Sequence, residues 1–193
     1  MNRITVFCGA NLGTDKIFEE QAYNLGKLLA KKKIELVYGG AKIGLMGTIA
    51  DAVLYNGGKV TGVLPAFLSE KEVAHEKLTE LIIVHSMHER KLKMHELSDG
   101  VIALPGGFGT LEELFEMLTW SQLGLHAKPI GLLNVNGFYD DLVSMIEKMV
   151  EKGFLTEQSL QLLLICDEME DLISRMENFQ APGISRLMAN ETT

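Results

Sequence analysis

Val101-Ile102-Ala103-Leu104-Pro105-Gly106-Gly107-Phe108-Gly109-Thr110-Leu111-Glu112-Glu113 joins an apolar run, a glycine-rich turn and the start of an amphipathic run that continues to Leu123. That order predicts a strand, a tight turn and a helix. Without a Cβ in the way, the glycine backbone can approach a ligand closely. The helix that follows opens with unpaired N–H groups and the positive end of its dipole, a setting suited to a phosphate. Glu112 and Glu113 are expected in the first turn of that helix, and acids beside an anion site call for a chemical role.

Outward from this stretch, strand-like and helix-like runs alternate. Strands are predicted over residues 3–8, 34–38, 59–64, 80–85, 101–104, 128–133 and 160–166. Helical periodicity runs through Phe18, Ala22, Leu25 and Leu29, then over 45–55, 87–97, 111–123, 139–152 and 167–178. Residues 66–79 read as irregular and charged, and a polar tail begins near residue 180. Such alternation implies a Rossmann-like, doubly wound parallel sheet of about seven strands with helices on both faces. In these sheets ligands bind beyond the carboxyl ends of the strands. Three glycine clusters fall on that rim: Gly9 and Gly13, then Gly39, Gly40 and Gly44, then Gly106, Gly107 and Gly109.

The 193 residues, 47% hydrophobic, suit one domain with a single sizeable core. A net charge of −8 speaks against a nucleic-acid partner. Cys8 and Cys166 are isolated and read as reduced thiols of a cytoplasmic protein. No signal peptide pattern and no membrane-length apolar run is expected from the sequence. The turn matches neither G-x-G-x-x-G nor a P-loop, no histidine pattern has zinc spacing, and no G-x-S-x-G serine occurs.

Two readings of Thr110-Leu111-Glu112-Glu113 compete. The pattern fits a capping box, in which Glu113 only returns to the backbone N–H of Thr110. It also suits an acid held beside a ligand. Residues 87–94, with His88, Glu89, Arg90, Lys91 and Lys93, read either as a solvated face or as cations brought to the ligand rim, where arginine is the better fork for phosphate or carboxylate.

Taken together, residues 105–113, with P-G-G-x-G-T-x-x-E, and Met87-His88-Glu89-Arg90-Lys91 resemble the two signatures of the LONELY GUY family, the cytokinin riboside 5′-monophosphate phosphoribohydrolases often labelled lysine decarboxylases. Residues 36–40, 43–47 and 57–65 are similar to the first half of that family, and the likeness covers roughly residues 3 to 178. The resemblance implies a homodimer with the site completed across the interface. It implies hydrolysis of the N-glycosidic bond of a nucleoside 5′-monophosphate substrate, with no NAD, PLP or metal cofactor. It makes Arg90 and Glu113 the catalytic pair. Substrate positions fall on Glu72, Lys91, Gly107, Phe108, Gly109, Thr110, Leu111, Glu112 and Thr119, beside the rim glycines Gly9, Gly40 and Gly106. Ala10, Asn11 and Ala41 stand where serines or a glycine are common in the family. The rival expectations are a nucleotide-binding or carrier protein without chemistry and a PLP-dependent decarboxylase.

Overall fold

The computed structural model describes residues 1–69 and 74–183. Seven strands form one sheet: β1 Arg3–Phe7, β2 Glu35–Tyr38, β3 Val60–Pro65, β4 Glu80–Val84, β5 Gly100–Ala103, β6 Ile130–Leu133 and β7 Leu163–Cys166. All pairings are parallel, in the order β4-β3-β2-β1-β5-β6-β7. The helices are α1 Lys16–Lys32, α2 Gly44–Tyr55, α3 Ala66–Ser69, α4 Met87–Leu97, α5 Phe108–Gln122, α6 Asp140–Glu151, α7 Glu157–Leu160 and α8 Met169–Glu177.

Alternate strand residues feed two cores. Ile4, Val6, Leu36, Tyr38, Ile102 and Leu104 point to α1, α2 and α8. Phe7, Val37, Val63, Val101 and Ala103 point to α4, α5 and α6. Strands covered on both faces read as continuous apolar runs, as these do. The winding direction reverses between β1 and β5. There the two strand ends are stitched together: Leu104 N–H donates to Phe7 O at 2.9 Å and Gly9 N–H to Pro105 O at 3.0 Å. A crevice at such a switch point is where doubly wound sheets hold ligands.

The sequence misplaces some boundaries. Residues 66–79 contain the short helix α3, and residues 160–166 divide into the end of α7 and a shorter β7. Leu160 is the last residue of a helical turn that Thr156 caps, its hydroxyl accepting from Ser159 N–H. An apolar run alone does not distinguish that turn from a strand.

Candidate active site

The larger correction concerns the helix start. α5 begins at Phe108 with Gly107 as its N-cap, and no side chain caps it. Thr110 is therefore inside the first turn and not the cap, while Glu112 and Glu113 lie one turn deeper. The capping-box expectation fails there. The same S/T-x-x-E pattern does operate at Ser86-Met87-His88-Glu89 before α4. Ser86 Oγ accepts from Glu89 N–H at 3.1 Å, and the Glu89 carboxylate accepts from His85 N–H at 2.8 Å. One helix start on the rim is thus satisfied by its own side chains, and the other is left open for an external acceptor.

Thr110 has a packing role instead. It is 4% exposed, and a Cβ at Gly106 would lie 2.1 Å from its Oγ1 and 3.0 Å from the Gly9 nitrogen. Gly106 is required for the turn to close against β1. At Gly107 and Gly109 an added Cβ would meet nothing within 4 Å. Both border a cavity of about 560 Å³ at the switch point.

Glu113 faces the same cavity, as does Arg90. Arg90 comes from α4 on the opposite wall. Its Nη1 stands 3.5 Å from Glu113 Oε1, and both side chains are 10% exposed. Its Nε donates to the Val63 carbonyl of β3 at 3.1 Å. Burial pushes the Glu113 carboxyl up to about 7; Arg90 opposes this, Glu112 adds to it, Lys91 opposes and Glu116 adds. A carboxylate poised near neutrality suits proton transfer at physiological pH. Cys8, at the end of β1, is buried beside them and its thiol is held well above the usual range, by burial first and then by Glu113.

The other expected site residues divide. Gly9 borders the cavity. Gly40 has φ +78° and its carbonyl accepts from His75 N–H at 3.0 Å, so it shapes the loop, whereas its neighbour Gly39 borders the cavity. Lys91 is 3% exposed and pairs with the carboxylate of Glu112 and with Glu116 at 3.0 Å. Burial alone would lower its ammonium, but these bonds hold it above the ordinary lysine value. Phe108 is 93% exposed, and Leu111 and Glu112 stand outside the cavity wall. Thr119 lies toward the far end of α5, exposed, with its hydroxyl donating to Phe115 O at 2.7 Å. Glu72 lies outside the described residues.

The sequence missed two aromatic walls of the cavity, Phe18 and Phe138. Their rings meet edge to face at 5.6 Å. Phe138 follows the end of β6, so the rim rule alone points to it.

Comparison with known proteins places the chain in a family. The model of a family described as "Possible lysine decarboxylase" matches residues 46–176. A cytokinin riboside 5′-monophosphate phosphoribohydrolase of Rhodococcoides fascians is 49% identical over 176 residues, covering 91% of this chain and 89% of that protein. A probable cytokinin riboside 5′-monophosphate phosphoribohydrolase of Oryza sativa subsp. japonica is 48% identical over 177 residues, covering 92% and 79%. Among solved structures, the molybdenum cofactor binding protein from Rippkaea orientalis superposes with a TM-score of 0.70 at 24% identity, covering 91% of this chain and 95% of that one. At that identity the likeness speaks for the fold alone. With nearly half of its residues shared over nine-tenths of its length, this chain belongs to the LONELY GUY family of cytokinin riboside 5′-monophosphate phosphoribohydrolases.

Proposed function

We propose that the protein hydrolyses the N-glycosidic bond of adenosine 5′-monophosphate or an N6-substituted form of it, acting as an N-glycosidase that releases the free base and ribose 5-phosphate. One observation carries this: the buried Arg90–Glu113 pair borders the same 560 Å³ cavity as the uncapped start of α5. The 5′-phosphate sits on the open backbone N–H groups of residues 108–110. Binding energy from that remote group aligns the sugar.

As the bond between the anomeric carbon and the base nitrogen breaks, its electron pair leaves with the base and positive charge gathers on the ribose. Glu113, ionised, stabilises that charge and takes a proton from the attacking water, whose oxygen bonds to the anomeric carbon. The departing base takes up a proton from solvent and Glu113 returns the one it took, so atoms and charge balance. Arg90 keeps the carboxylate ionised and oriented.

The dimer and the location are part of the same proposal. Thr119 is exposed and outside the cavity wall, so a site that uses it draws it from a second copy. Exposed apolar residues on α4 and at the end of α5, Met87, Leu92, Leu123 and Leu125, support a homodimer. Among the described residues no helix is long and apolar enough to cross a membrane. Two buried free thiols suit the reducing cytoplasm.

The test is release of free base from AMP, isopentenyl-AMP, adenosine, GMP and CMP. Base release from the adenine nucleotides, with adenosine much slower, is the expected result. Tight binding of AMP with no base released would leave only a nucleotide carrier, and equal turnover of adenosine would remove the phosphate anchor. Lysine decarboxylase chemistry is disfavoured by Lys91. Clamped between two carboxylates and held protonated, that ammonium is a poor Schiff-base amine.

A further inference from the structure

Two adjacent glycines follow β2, and the structure gives them different tasks. Gly40 is left-handed at φ +78°, a conformation that L side chains rarely adopt. Gly39 is not left-handed, so its backbone would accept an alanine. What it would not accept is the methyl group. A Cβ at Gly39 would stand 1.8 Å from Arg90 Nη2, 3.0 Å from Arg90 Cζ and 3.1 Å from Met46 Sδ. The guanidinium lies directly against the bare backbone. Two further anchors fix it there: Nε on the Val63 carbonyl at 3.1 Å and Nη1 on Glu113 at 3.5 Å.

We infer that Gly39 is a positioning residue for the reaction: its missing side chain is the slot in which Arg90 lays its guanidinium to reach Glu113. The inference rests on Glu113 being the base. A methyl group at position 39 fills the slot and drives the fork off the end of β2. Because the fork is planar and anchored at Nε, it cannot shift sideways and keep both remaining contacts. Glu113 then loses the cation facing it, and the remaining nearby cation, Lys91, is already paired with Glu112 and Glu116.

The experiment compares the full-length wild type, Gly39→Ala, Arg90→Ala and the double variant. The readouts are kcat/KM for AMP across the pH range and thermal unfolding. In Gly39→Ala the acid limb of the profile moves up by ~1 pH unit or more, toward that of Arg90→Ala. At neutral pH kcat/KM falls on the order of 10²-fold. In the Arg90→Ala background, Gly39→Ala changes nothing further, because there is no guanidinium to displace. A folding defect alone would scale the profile without moving its midpoint. If Gly39→Ala does not fold, recovery of the fold in the double variant supports the clash, and failure of both overturns the inference. A wild-type limb that Gly39→Ala leaves in place overturns the inference alone. A wild type with no acid limb near neutrality removes the base assignment of Glu113 together with it.

Discussion

Arg90 Nη1 lies 3.5 Å from Glu113 Oε1, with both side chains 10% exposed, yet burial still leaves the Glu113 carboxyl near 7. The two facts set a pH optimum. A base must be ionised, so kcat/KM rises with pH through the value of the free enzyme. The expected acid limb has its midpoint near 7, well above the 4.5 of an ordinary glutamate. A rate profile flat from pH 5 upward, on the order of two units lower, would assign the limb to another group.

Replacing Glu113 by glutamine separates chemistry from folding. Below pH 4.5 the carboxyl is neutral in the folded and unfolded chains alike. As pH rises from 4.5 toward 7 the unfolded chain ionises first, so the wild type loses stability across that window and does not regain it above. A shift of this size corresponds to about 3 kcal/mol at most, reduced in the variant by the counter-charge that Arg90 loses. Glu113→Gln is therefore expected to match the wild type in acid and to melt at the same or a higher temperature above neutrality. Its kcat falls by ~10²–10⁴-fold. An equal drop in melting temperature at every pH would make Glu113 a structural residue.

The glycines of the turn are expected to split into two classes. Gly106→Ala brings a methyl group to 2.1 Å from Thr110 Oγ1 and 2.7 Å from its Cβ, so the turn opens and the melting temperature falls with activity. Gly107→Ala meets nothing within 4 Å, and the backbone there, at φ −99°, accepts alanine. That variant keeps its stability and raises KM for AMP, because the methyl group borders the space where the phosphate docks. KM unchanged in Gly107→Ala, measured beside thermal melts of both variants, would take the phosphate away from this helix start.

The layer order, the seven strands and the rim were legible because the strands carry largely apolar runs and three of them, β1, β2 and β5, lead into glycine turns. The register of α5 was not. Thr110 to Glu113 matches a cap in spacing, and only the chain path shows that Gly107 is the cap and that Thr110 packs against Gly106. The choice between Gly39 and Gly40 was hidden for a similar reason. Sequence shows two glycines, whereas the need for each depends on φ at one and on the far end of Arg90 at the other. The pairing of Lys91 with Glu112 and Glu116 was hidden as well, because those carboxylates on α5 come within reach only when α4 and α5 are side by side. Phe18 and Phe138 are distant in sequence and meet only in the folded chain, in the wall of the cavity.

A last prediction concerns stability away from the site. His95, near the end of α4, packs edge to face on Trp120 at 5.4 Å and lies 4.7 Å from the His126 ring. Its Nδ1 is buried with no hydrogen-bond partner among the described residues. Burial, then Lys128 and His126, lower its imidazole from 6.5 to about 4. Above 6.5 the ring is neutral in both folded and unfolded chains, and its full contribution is present. As pH falls from 6.5 toward 4, the unfolded chain takes up a proton that the folded chain refuses, and stability is lost. His95→Phe keeps the aromatic packing and removes that proton. Urea unfolding at neutral and acid pH is expected to show similar stability at the first and a variant more stable by roughly 1–3 kcal/mol at the second. Parallel loss in both proteins on acidification would show that the unfolded chain gains nothing from this histidine, and would place the acid sensitivity elsewhere in the fold.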